Sequence, residues 1–136
     1  MRKIAFTIPG EPVGKGRPRF ARAGTGVRTY TPRKTADYEG LVKALCKVKE
    51  PFCGGVRVEI RAFFSIPKSR HTQKSLAEIV LGVMRPTKKP DADNILKVIC
   101  DAMNGLAYKD DAQVVEAYIC KNYALEPRVE VKLTEV

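Results

Sequence analysis

The 136-residue sequence has no tryptophan and a single histidine, His71. That histidine follows "PKSR" in a basic stretch with no carboxylate near it in sequence. It is a poor general base, and the expected place for it is in solvent or against a phosphate. The four cysteines, Cys46, Cys53, Cys100 and Cys120, form no CxxC pair and none lies near His71, so their spacing argues against zinc. Free thiols in a reducing cytoplasm are expected, with those at 46, 100 and 120 filling apolar patterns. No apolar run approaches a membrane span, and the opening "MRKIAFTIPG" is too weakly apolar for a signal peptide, so no membrane partner is expected.

Acid is scarce as well, but only at one end. Up to Lys34 there are nine cations (Arg2, Lys3, Lys15, Arg17, Arg19, Arg22, Arg28, Arg33 and Lys34) and one acid, Glu11. The remaining residues are close to balanced, so most of the net charge of +10 belongs to this segment. A one-sided excess suits a polyanion, and with no basic amphipathic helix in the arm, nucleic acid is favoured over membrane. The plainer reading is a solvated basic loop. Lys15, Arg17, Arg19 and Arg22 are the candidate backbone contacts in this arm, which spans residues 10 to 34.

One hundred and thirty-six residues with 44% hydrophobic content make one domain with a real core that needs no disulfide or metal to fold. "KIAFTIP" alternates as a strand and stops at Pro9-Gly10. The arm "GEPVGKGRPRFARAGTGVRTYTP" reads as a long loop or β-ribbon. Thr31 or Thr35 is placed to cap a helix over "TADYEGLVKALCKV". "GGVRVEIRAFFSIP" alternates as a half-buried strand, and "HTQKSLAEIVLGVM" carries Leu76, Ile79, Val80 and Val83 at helical spacing. Two closing strands, "AQVVEAYICKNYAL" and "RVEVKLTEV", flank Glu126-Pro127. The expected fold is α+β, a single domain with a small mixed or antiparallel sheet packed against helices.

Between the second helix and the closing strands lies "PDADNILKVICDAMNGLAYKDDAQ", where carboxylates are concentrated in an otherwise basic chain. Ile95, Ile99, Ala102, Met103 and Leu106 fall on one helical stripe, and Asn104-Gly105 reads as the helix end. Asp91 and Asp93 then sit at the helix start, where capping and the helix dipole explain one of them well. One cap needs one Asp, however, and Asp110-Asp111 lies further along. A helix from Asp93 to Gly105 is roughly 18 Å long, and the residues from Leu106 to Asp111 can span about as far when nearly extended. Asp111 can therefore lie beside Asp91 and Asp93. Three converging carboxylates need a cation, and oxygen-only ligation selects Mg²⁺, or Mn²⁺ as a substitute, over zinc.

Lys97 lies one turn after Asp93, either as a plain i,i+4 ion pair or as an ammonium aimed at a phosphate, with Asp101 placed to orient it. An EF-hand loop is excluded by Leu96 where glycine is required. Metal-dependent hydrolysis of a nucleic-acid phosphodiester survives, with Lys88 and Lys89 joining the arm on the backbone. The rival reading is a non-catalytic nucleic-acid-binding module.

"KPDADNILKVICDAMNG" followed by "DDAQVV" resembles the RusA family of Holliday junction resolvases, and "GKGRPRF" with "YTPRKT" resembles its phage-type members. The resemblance implies a mixed α/β fold and Mg²⁺-dependent paired incision of four-way DNA junctions by a homodimer in a bacterial or phage-infected cytoplasm. Its metal-binding carboxylates fall on Asp91, Asp93 and Asp111, and its essential lysine on Lys97. A nuclease of flaps or forks is the neighbouring alternative.

Overall fold

The computed structural model describes residues 1–16, 19–24, 26–30 and 32–136. The first alternating run forms β1 (Lys3–Pro9), ended where Gly10 takes a φ of 97°. The basic arm becomes a ribbon, β2 (Arg19–Ala23) paired antiparallel with β3 (Gly26–Tyr30). Helix α1 (Arg33–Leu45) follows. Its N-cap position is held by Pro32, not by either threonine expected there. Thr31 lies outside the described residues, and Thr35 sits buried inside the first turn, where its hydroxyl oxygen accepts from the Gly16 amide at 3.0 Å. That tertiary bond outcompetes the local cap.

β4 (Val56–Ser65) has the two-residue period its sequence predicts, with Val56, Val58, Ile60, Ala62 and Phe64 fully buried. A short 3-10 turn (Lys68–Arg70) leads to α2 (Gln73–Val80), whose first turn is closed by the Thr72 hydroxyl accepting from the Ser75 amide at 3.2 Å. This helix is shorter than its apolar pattern suggests. Gly82, with a φ of 75°, follows the Leu81 C-cap, and Val80 is 85% and Val83 72% exposed. Apolar spacing on a two-turn segment does not guarantee a buried face.

Helix α3 (Ala92–Met103) carries the core stripe Ile95, Val98, Ile99, Ala102 and Met103, and Gly105 turns the chain away with a φ of 76°. Leu106 lies beyond the helix, yet still packs on the core. A second 3-10 turn (Asp111–Gln113) opens into β5 (Val114–Ala124), and β6 (Arg128–Glu135) closes the chain.

The four long strands form one mixed sheet in the order β1-β6-β4-β5, antiparallel except for β4 and β5. Parallel neighbours cannot be joined by a hairpin and need a crossover. Residues 66 to 113 are that crossover, and α3 within it packs against α1 and β5. The core is built from β4, β6, α3 and the inward side of α1. Between the buried positions of β4 and β6 lie charged residues that pair across strands, such as Lys132 with Glu59 at 3.7 Å. The architecture is the expected α+β, and no helix is long and apolar enough to cross a membrane among the described residues.

Candidate active site

A parallel crossover must bring its end back to where β5 can dock, and this return builds the acidic site. Asp91 occupies the N-cap position of α3 with extended backbone (φ −68°, ψ 152°), and its carbonyl accepts the Ile95 amide at 3.1 Å. Its carboxylate makes no capping bond. The helix thus explains the backbone of Asp91 but leaves its charge unused. Asp93 lies in the first turn, and both acids are exposed.

After Gly105 the return segment is locked down bond by bond. The buried Tyr108 hydroxyl donates to the Cys100 carbonyl at 2.7 Å, and the Phe52 amide donates to the Ala107 carbonyl at 2.7 Å. Gln113 then clamps the turn. Its Oε1 accepts from the amides of Lys109 at 2.9 Å and Asp110 at 3.3 Å, while its Nε2 donates to the carbonyls of Phe52 at 2.8 Å and Gly54 at 3.0 Å. This residue was not singled out from sequence, although Asp110 and Gln113 have capping-box spacing, which is the signal that finds it.

Asp111 consequently lines a depression of about 280 Å³ together with Asp93, Leu96, Lys97, Cys100 and Val114. Partial burial and the adjoining Asp110 carboxyl push the Asp111 carboxyl above its ordinary range, with Lys97 pulling the other way. Lys97 is held protonated by Asp101, which accepts from it at 3.1 Å, with Asp111 adding a weaker attraction. Burial pushes the Cys100 thiol up to about 11, so it is an inert wall of this depression.

Asp91 faces the other way along the helix start. It lines a larger cavity, about 780 Å³, with Lys34, Lys89, Asn94 and the strap of residues 12 to 16. Among the described residues, no three His, Cys, Asp or Glu side chains already stand grouped as a metal centre. The carboxylate donors are nonetheless oxygen ligands, with Asp93 and Asp111 on one depression and Asp91, two residues before Asp93, on the neighbouring cavity, and such donors suit a hard divalent cation.

The basic residues separate into distinct surroundings. Lys88 and Lys89 are exposed in the lead-in to α3, which is pinned to β5 where Lys121 Nζ donates to the Lys88 carbonyl at 2.6 Å and Arg85 Nε to the Lys121 carbonyl at 2.9 Å. Arg22 is exposed on the ribbon, Arg19 belongs to β2, and Arg17 lies outside the described residues. Phe20 is exposed on the same ribbon. The Lys15 ammonium lies between Glu39 at 2.9 Å and Asp101 at 3.2 Å. His71 is exposed, with its Nε2 3.0 Å from the Ile66 carbonyl oxygen.

The chain is 39% identical over 137 residues to a Bacillus subtilis (strain 168) protein described as the uncharacterized protein YqaN, an alignment covering 98% of this chain and 96% of that one. The family model described as endodeoxyribonuclease RusA matches residues 9–134, which takes in the strap, the acidic helix and the Asp110-Asp111 turn. With nearly its whole length matched, the chain belongs to the RusA family of endodeoxyribonucleases.

Proposed function

We propose that this chain is a Mg²⁺-dependent, structure-selective endonuclease that resolves four-way DNA junctions by paired phosphodiester hydrolysis during recombination and repair. The observation that carries the reading is the meeting of Asp93, Lys97 and Asp111 around one depression in a member of an endodeoxyribonuclease family. Asp91, Asp93 and Asp111 are the residues that would hold the cation. When bound, it would neutralise the phosphodiester and make an attacking water more acidic.

The protein's own groups supply the rest. Lys97 offers positive charge to the phosphate as negative charge builds on its oxygens and on the departing oxygen. Lys88, Lys89 and the ribbon's Arg22 hold the backbone, and Arg17 and Arg19 are contacts of the same kind by their place in the basic arm of the sequence. Lys34 and Lys89 line the cavity next to Asp91 and give the strand a basic path to the acids. Two symmetric cuts require two such sites, and the described residues of one chain hold one, so the acting form is a homodimer.

The test is cleavage of synthetic four-way, forked and linear duplexes with and without Mg²⁺. The proposal expects metal-dependent, symmetrically related nicks in the four-way junction and little cutting of the linear duplex. Cutting of the fork alone would make the chain a flap or fork nuclease. Salt-sensitive binding without metal-dependent cleavage would make it a binding module.

A further inference from the structure

The basic arm carries Gly14-Lys15-Gly16 near its start, and both glycines are needed for close approach. A Cβ at Gly14 would come within 2.8 Å of the Pro90 Cβ and 3.1 Å of the Asn94 Cβ. One at Gly16 would come within 2.6 Å of the Thr35 hydroxyl oxygen and 3.0 Å of the Pro32 Cγ. The strap therefore lies flat between the start of α1 and the start of α3, and the Lys15 amide donates to the Asn94 carbonyl at 2.9 Å. Backbone and glycines together aim the lysine inward.

What it reaches is a chain of alternating charge. Glu39 Oε1 and Asp101 Oδ2 both take the Lys15 ammonium, and Asp101 Oδ1 takes Lys97 at 3.1 Å. The Lys15 side chain is 22% exposed and those of Glu39 and Asp101 are each 16% exposed, while Lys97 is 58% exposed. The inner three are shielded and the outermost faces the acidic depression. Burial opposes the charge on Lys15, and the two carboxylates more than offset it, so the ammonium is held above its ordinary range.

We infer that Lys15 is a positioning residue and not a DNA contact: by dividing the charge of Asp101 between two ammonium groups, it sets where Lys97 stands beside Asp93 and Asp111. The assignment rests on the nuclease reading given above. Without Lys15, one carboxylate oxygen of Asp101 loses its partner and the whole charge of Asp101 turns on Lys97, drawing it back from the depression. Glu39 is left half-buried and unpaired.

The experiment uses the full chain and the variants K15M, K15R and D101N. Single-turnover cleavage of a four-way junction is measured in Mg²⁺, and junction binding in Ca²⁺ at several salt concentrations. For K15M the cleavage rate at saturating protein falls about tenfold, as expected when a reacting group is misplaced, with affinity and salt slope unchanged. K15R recovers most of the rate, because a guanidinium can bridge two carboxylates. A salt slope lower by about one for K15M, with its saturating rate intact, is the signature of a lost phosphate contact and overturns the inference.

Urea unfolding of K15M, D101N and the double variant supplies a readout free of activity. Midpoint losses smaller in the double variant than in the two singles combined support the bridge, and additive losses overturn it. Should the unaltered chain cut no junction, the nuclease reading fails, and the unfolding cycle still decides whether Lys15 and Asp101 act together.

Discussion

The Tyr108 hydroxyl donates to the carbonyl of Cys100 at 2.7 Å, in a part of the molecule where the tyrosine is wholly buried. This bond ties the chain leaving α3 to the side of α3 and, with the Phe52–Ala107 bond and the Gln113 clamp, holds the segment that carries the following acids. Tyr108→Phe keeps the ring and removes the bond. It is expected to cost about 1–2 kcal/mol by urea unfolding, with junction cleavage lowered more than junction binding. An unchanged urea midpoint would show that the bond contributes nothing to holding this segment.

Gln113 makes four hydrogen bonds with one side chain, accepting from the Lys109 and Asp110 amides just before Asp111 and donating to the Phe52 and Gly54 carbonyls ahead of β4. Gln113→Ala leaves those backbone groups to find other partners. Single-turnover cleavage should drop about 10- to 100-fold through loss of placement, while circular dichroism stays native. A variant that cuts at the normal rate would mean that Asp111 does not depend on this clamp.

Asp111 offers a test in pH. Its carboxyl is raised above the ordinary value of 3.8 in the folded chain, chiefly by partial burial and then by Asp110. The stability associated with its proton is fully present below 3.8 and is lost as pH rises through the higher folded value. Asp111→Asn cannot ionise there. Without divalent cation it should melt at or above the temperature of the unaltered chain at pH 7, and the difference should disappear in acid.

Adding Mg²⁺ should reverse that order, since a ligand that binds only the folded state stabilises it by mass action. The unaltered chain is expected to gain a few degrees (about 2–4 °C) at saturating metal, while Asp111→Asn gains little and cuts at least about 100-fold more slowly. Equal Mg²⁺-induced shifts in the two proteins would remove Asp111 from the ligand set.

Lys88 and Lys89 are exposed just before Asp91, and the Lys88 carbonyl accepts from Lys121. The double change to alanine should leave stability within about 0.5 kcal/mol and lower the salt slope of junction binding by about two. Stability loss with an unaltered slope would mean that these lysines pack and do not meet DNA.

How much of this was legible beforehand follows from the range of each interaction. The alternation of Val56, Val58 and Ile60 and the stripe from Ile95 to Met103 are local patterns, and both lie in the core as their periods predict. Val80 and Val83 have the same kind of spacing, but Gly82 and the shortness of α2 leave them in solvent. The cap of α1 was misread because Thr35 answers to Gly16, nineteen residues earlier. Asp91, Asp93, Lys97 and Asp111 stand out in sequence because they cluster against a basic background. Lys15 looks like one more cation of the arm, because its partners Glu39 and Asp101 lie far along the chain and only tertiary packing joins them. The Gln113 clamp had a local signature, and its reach to Phe52 and Gly54 did not.

The parallel pairing of β4 with β5 has a consequence for when the acidic depression is assembled. Asp93 lies midway along the crossover and Asp111 at its end, and their depression is also lined by Val114, the first residue of β5. A growing polypeptide that has emerged only as far as α3 possesses half a site and nothing to close it. The depression is therefore complete only once the chain extends to the start of β5, the edge strand of the sheet.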